Sequence, residues 1–213
     1  MALASKYLQT RINLLLVGSA ISLFVILFPP LDIIETANLT VRMIEDMLIF
    51  VYAILFGYGV ERYVKVKERT QTKFSPWFKI YSGISKINRL SRGFLFALIV
   101  PAIVIVYWNN PVVFDNTAID IYTRYLSDAT YLVVAILAGT AITYVPSKLR
   151  VILLFFAFMN VGMMGSMMLV WPPGFYTAYS AAQNNAMNTF MMLFGAVGIL
   201  GTSGWLLKVW DVI

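Results

Sequence analysis

The 213-residue chain contains no cysteine and no histidine. Those absences remove the side chains behind most zinc sites, haem ligation, thiol nucleophiles and serine-histidine-aspartate catalysis. Disulfides are excluded, so cysteine usage says nothing of the redox compartment. Charge is scarce as well, at 12% of residues, against about a quarter in a soluble domain. No phosphate loop or nucleotide fingerprint is present, and no carboxylate falls in the middle of an apolar run. A proton- or sodium-coupled carrier ordinarily needs a buried ionisable group, and none is expected from the sequence, which lowers that reading.

What is present is apolar: 60% of the residues are hydrophobic, and the mean hydropathy is +0.79. Runs recur at Ile12–Phe28, Met47–Val60, Gly93–Trp108, Ala129–Val145, Val151–Trp171 and Ala186–Leu207. With flanking residues, each is about long enough to cross ~30 Å of hydrocarbon at 1.5 Å per residue. The expectation is an all-α integral membrane bundle of six transmembrane helices, a single domain over 1–213. The second run is short unless Glu45 and Asp46 form its outer end, and the third contains Pro101, which a membrane helix tolerates as a kink. Lys6 and Arg11 precede the first run and Gly18-Ser19-Ala20 lies within it, but the apolar character continues to Phe28, so a retained helix is expected rather than a cleaved signal.

Basic residues orient the chain. With the N-terminus inside, 14 of the 16 Lys and Arg residues fall on inner segments and only Arg42 and Arg124 outside. Both termini are expected on the cytoplasmic side of the cell membrane. The tripeptide Asn38-Leu39-Thr40 then lies outside, where a glycan could attach at Asn38. In the basic inner loop at about 61–92, Ser75 and Pro76 mark a helix start. Trp77, Ile80, Tyr81, Ile84, Ile87 and Leu90 then recur at helical spacing, with Lys79, Lys86 and Arg89 pointing elsewhere. This reads as an interfacial amphipathic helix on the anionic cytoplasmic leaflet, each cation contributing about 1 kcal/mol. An acidic partner or nucleic acid is the weaker alternative, since basic inner loops follow from the positive-inside rule.

The chain also repeats itself. Arg42, Asp46 and Gly57 recur 82 residues on as Arg124, Asp128 and Gly139. Each set follows an aromatic and a proline turn, Phe28-Pro29-Pro30 and Trp108-Asn109-Asn110-Pro111. A third copy shows as Trp171-Pro172-Pro173 with Asn184, Asn188 and, eleven after Asn184, Gly195. Three tandem hairpins are expected, about 8–60, 92–145 and 149–208. Residues four apart share a helix face, so Arg42/Asp46, Arg124/Asp128 and Asn184/Asn188 form three polar pairs at the outer helix ends. Converging, they would bind a small ion, bridge to a partner or lock the hairpins together. Locking is preferred, because an acidic residue in a first turn suits the helix dipole and an exposed pair contributes only ~0.3–0.5 kcal/mol.

Eight of the eleven methionines lie in the last two runs. Met159, Met163 and Met167 form one stripe and Met187 with Met191 another, and soft thioethers suit copper(I). Packing is the better account, because Met adapts to irregular gaps and Gly162, Gly165 and Ser166 nearby read as a helix-contact surface. No cofactor is expected. Gly195, Gly198, Gly201 and Gly204, spaced by three, drift around their helix, while Ala53/Gly57, Ala135/Gly139 and Gly198/Thr202 mark close crossings. Asn160, the one amide near the middle of a run, reads as a bridge between helices.

The hairpin pattern resembles the polytopic cytochrome oxidase assembly-factor family, and more closely an uncharacterised archaeal membrane family of similar layout. The resemblance rests on Trp171–Tyr176, on Asn184 and Asn188, and on the segments Arg42–Gly57 and Arg124–Gly139. In that family such positions carry histidines four apart, which implies metal or haem handling. Arg42/Asp46, Arg124/Asp128 and Asn184/Asn188 stand there in this chain, so the resemblance implies a member that keeps the fold without the site. The expected function is therefore a non-catalytic accessory subunit surrounded by other integral-membrane subunits and lipid. Its host would be an archaeal membrane oxidase, either ammonia monooxygenase or a respiratory terminal oxidase. A small-ion or copper(I) binding or transport protein and an oxidase assembly factor are the alternatives.

Overall fold

The computed structural model describes residues 2–27, 37–68, 76–170 and 175–209. The turns at Pro29-Pro30 and Trp171-Pro172-Pro173, and the N-cap expected at Ser75, lie outside them. Among the described residues the chain is helical, with no strand. The helices are α1 (Ala2–Ile26), α2 (Leu39–Glu68), α3 (Pro76–Leu90), α4 (Val100–Trp108), α5 (Pro111–Ile119), α6 (Ile121–Ile142), α7 (Ser147–Val170) and α8 (Ala181–Val209). A π-helical turn, Leu95–Ile99, precedes α4.

Among the described residues four helices are long and apolar enough to cross a membrane: Gln9–Ile26 within α1, all of α6, all of α7, and Ala181–Lys208 within α8. A fifth span arises only if Ile80–Leu90 and Leu95–Trp108, bent by 94° at their junction, count as one. Six spans were expected; α2 is not among the four, and the span expected at Gly93–Trp108 is found only as part of that bent pair. Helix α2 runs for 30 residues, with Arg42, Glu45 and Asp46 toward one end and Glu61, Arg62 and Lys65 toward the other.

The sharp bend after α3 has a local cause. Arg92 and Gly93 both take positive φ, 49° and 78°. The Gly93 amide donates to Asn88 O at 2.7 Å and the Arg92 amide to Arg89 O at 3.3 Å, closing the end of α3 as a Schellman turn. A side chain at Gly93 would also strike the Ala141 carbonyl. Beyond it the Val100 amide reaches back five residues to Leu95 O. This wider turn ends at Pro101, which has no N–H and whose ring would crowd the carbonyl four residues earlier in a regular helix.

The chain divides into two compact units. Unit 1 comprises Met1–Phe28, Asp46–Val106 and Leu126–Val145; unit 2 comprises Pro29–Glu45, Tyr107–Tyr125 and Pro146–Ile213. In unit 1, Leu23, Ala53 and Ala135 form a buried core with Phe50, Ile54 and Leu132 packed against it. Here α2 and α6 approach backbone to backbone: a Cβ on Gly57 would overlap the Ile136 carbonyl, and one on Gly139 the Ile54 carbonyl. The contact is reciprocal across the 82-residue repeat, each glycine meeting the residue three before its counterpart. In unit 2, α7 and α8 pack along each other, with Gly162 against Gly195 and Phe158 against Gly198. Gly201 and Gly204 face open space, as the drift of a three-residue spacing dictates.

The repeat is also visible in how helices start. Asn38 Oδ1 accepts from the Thr40 and Val41 amides ahead of α2. Asp120 accepts from the Tyr122 and Thr123 amides ahead of α6. Ser180 Oγ accepts from the Gln183 amide ahead of α8, and Gln183 Oε1 accepts in return from the Ser180 amide, a reciprocal capping box. Each cap satisfies orphan amides of a first turn, and each stands four residues before a polar residue of the expected pairs: Arg42, Arg124 and Asn184.

The amide and Thr123 hydroxyl bonds hold the exposed Asp120 carboxyl below its usual value. A depressed carboxylate stabilises the fold above the unfolded aspartate pKa, and that contribution disappears as pH falls through the folded value. Asp120→Asn keeps an acceptor but loses the titration. The melting-temperature gap between wild type and Asp120→Asn should therefore be largest near neutral pH and close as pH falls below the usual aspartate range. A gap of constant size across that range would contradict this.

Candidate functional site

Two buried polar centres are built on these helices, one in each unit. In unit 2, Arg42, Glu45 and Arg124 are all buried. The Glu45 carboxylate lies 3.5 Å from Arg42 Nη1 on its own helix and 3.8 Å from Arg124 Nη2 on α6. The two arginines singled out by charge counting thus share an acid, Glu45, the residue before Asp46 in the sequence. A three-residue spacing is as much a neighbour relation on a helix as a four-residue one, and the longer glutamate reaches both cations. Asp46 and Asp128 belong to unit 1, the first half-buried and the second buried.

Asn184 serves a different purpose. Its Oδ1 accepts from the Tyr176 amide at 3.1 Å, and its Nδ2 donates to the carbonyls of Tyr176, Tyr179 and Ser180. One carboxamide therefore closes the loop leading into α8. Asp115 on α5 holds the same loop through the Thr177 amide and hydroxyl and the Ala178 amide. Tyr176, fully buried, sets its ring centre 4.3 Å from that of Phe114 with the planes tilted by 37°. Asn188, one turn further on, is buried and its Oδ1 accepts no hydrogen bond within the described structure.

The centre in unit 1 was not anticipated. Glu61 on α2 is fully buried. It accepts from the Tyr81 hydroxyl of α3 and, at 2.7 Å, from the Tyr144 hydroxyl just beyond α6. Lys65 Nζ lies 3.0 Å from the same carboxylate, 3.1 Å from Thr143 Oγ1 and 4.0 Å from the Tyr144 ring centre. Because its hydroxyl donates to Glu61, Tyr144 accepts from Ser85 at 2.7 Å, and burial raises its pKa, keeping the phenol protonated. Asn88, also buried, donates to Thr140 at 3.4 Å. The expectation that no ionisable group is buried is thereby overturned: Glu61, Glu45, Arg42, Arg124 and Asp128 all are. These acids lie toward helix ends or outside the apolar runs, so no scan of those runs could register them.

Helix α3 packs with its polar side. Tyr81, Ser85 and Asn88 carry the bonds to α2, α6 and the residues just beyond α6, while Ile80, Ile87 and Leu90 are exposed together with Lys86 and Arg89. The Lys79 side chain lies outside the described ones. The methionine stripes are placed differently from each other: Met163 and Met167 are exposed on α7, whereas Met187 and Met191 are buried in α8 and Met159 is half-buried. Among the described residues no group of three or more acids forms a metal-holding cluster.

Long apolar helices with polar centres near their ends define a multi-pass membrane protein. Within that class the chain belongs to the family described as Protein of unknown function (DUF1404), whose model matches residues 17–208. Nothing among curated proteins or solved structures matches it.

Proposed function

We propose that the chain is a non-catalytic accessory subunit of a larger membrane complex, built as six spans in three hairpins with both termini cytoplasmic. The observation that carries this reading is where the polar side chains go. Arg42, Arg124 and Glu45 tie α2 to α6, Asn184 and Asp115 close the loop before α8, and Glu61 ties α3 to α2 and α6. The chemistry-bearing groups are engaged in holding this chain's own helices, while the helix flanks present apolar surface to lipid or to other subunits. In this reading the apolar centre of α2 is the sixth span, shielded by its neighbours. The exposed Ile80, Ile87 and Leu90 beside Lys86 and Arg89 support α3 lying on an anionic leaflet. The resemblance makes a membrane oxidase the first host to examine.

A second reading, a carrier of protons or small ions, draws support from the burial of Glu61, Glu45 and Asp128. Purification of the native protein in mild detergent separates the two. A subunit is expected to copurify with other integral-membrane proteins in fixed stoichiometry. A chain that runs without other proteins overturns the subunit reading and favours the carrier.

A further inference from the structure

Helix α7 carries a pattern that none of these contacts uses. Phe156, Asn160, Met163, Met167 and Val170 are spaced four, three, four and three, the interval that keeps one seam of a helix turned toward a neighbouring helix. The seam is open: Phe156, Met163, Met167 and Val170 are 46, 52, 57 and 88% exposed, and Asn160 is exposed among them. Phe158, Gly162 and Gly165, which meet α8, lie on the opposite side of α7.

Four of these five side chains are at home against lipid. Asn160 is not. It sits near the middle of Ser147–Val170, which with a mean hydropathy of 2.0 is the most apolar of the candidate spans. Its carboxamide has two donors and an acceptor, hydrocarbon offers neither, and the short side chain cannot reach the interface. The sequence led us to expect a bridge between helices at this position, yet within the chain the residue faces outward.

We propose that this seam is the contact surface for a second copy of the chain, with Asn160 hydrogen-bonded to the partner's Asn160. Symmetry selects this occupant. Copies inserted in the same sense can close on each other only about an axis along the membrane normal, so each residue on the seam meets its own counterpart at the same depth. A carboxamide, with donor and acceptor side by side, is complementary to its own copy across such an axis. One polar residue in an otherwise apolar heptad seam is also the device that fixes register and number of chains between paired helices. The proposal stands apart from the host-complex reading, since the pair can form with or without other subunits.

The lack of native cysteine makes the test direct. Phe156→Cys, Met163→Cys and Met167→Cys, oxidised in native membranes, are expected to give the covalent dimer. Leu154→Cys and Leu169→Cys, exposed on α7 but away from the seam, are expected to remain monomeric. In the cysteine-free chain, Asn160→Leu should lower the dimer fraction in mild detergent by about tenfold with helix content and melting unchanged, and Asn160→Gln should restore most of it. Equal cross-linking on and off the seam overturns the proposal, as does a dimer indifferent to Asn160→Leu. A complex holding one copy of this chain, with the seam protected by a different protein, overturns it as well.

Discussion

Leucine at Gly57 or Gly139 is expected to abolish the native crossing of α2 and α6. A Cβ at either position overlaps a main-chain carbonyl, Ile136 O in one case and Ile54 O in the other. A carbonyl in mid-helix cannot swing aside as a side-chain tip can, so the helices must separate. Separation would open the packing of Ala53 and Ala135, both fully buried, along with the aromatic side chains set against them. Overpacking a tight core costs typically 1–3 kcal/mol, and displacement of two backbones places the expected loss at or above about 3 kcal/mol. That is a large part of an ordinary net stability of about 5–15 kcal/mol. Thermal aggregation in detergent should begin well below the wild-type temperature, and the yield of monodisperse protein should fall. Gly18→Leu and Gly201→Leu are the controls, since a Cβ there meets nothing within 4 Å. Because both glycines serve one crossing, the double variant should cost less than the sum of the singles. Wild-type melting in either single variant would refute the backbone contact.

The same crossing shows what the sequence made legible. Small residues four apart on two repeat-related helices announce a close approach before any coordinates, because only the absence of side chains allows backbones to touch. The amphipathic α3 was legible for the same kind of reason, its period being carried on one helix. Glu61 was not: its hydroxyl donors, Tyr81 and Tyr144, lie 20 and 83 residues away in sequence. A scan of apolar runs weighs each helix alone and cannot register a partnership assembled from three. Glu45 was missed more narrowly. Matching Arg42-Asp46 to Arg124-Asp128 fixed attention on repeated positions, whereas Glu45 is a carboxylate for which the second repeat has Ser127. One acid in one repeat serves a cation in each, an asymmetry that a symmetric pattern conceals. The three helix caps could have been read, since Asn38, Asp120 and Ser180 are ordinary cap residues four positions before Arg42, Arg124 and Asn184.

Removal of the Glu45 carboxylate should be the most damaging single change to the unit 2 centre. Burying an ion pair gains little over apolar packing, because desolvation offsets the attraction; removing one member of a buried group is costly, because the remaining charges keep the desolvation penalty. Glu45 answers two buried guanidinium groups. Glu45→Leu is therefore expected to lose about 3–5 kcal/mol. Glu45→Gln, which keeps the shape and drops the charge, should recover only part of that. The two arginines differ in what they report. The Arg42 contact lies within α2, whereas the Arg124 contact joins α2 to α6. A double-mutant cycle between Glu45→Gln and Arg124→Gln should yield a coupling on the order of 1–3 kcal/mol, the range for residues sharing one charged network. The corresponding cycle with Arg42→Gln should give less, because a three-residue pair on a formed helix adds little to holding two helices together. Equal couplings in the two cycles would mean that the carboxylate neutralises local charge without joining helices, and a coupling near zero for both would remove Glu45 from the centre altogether.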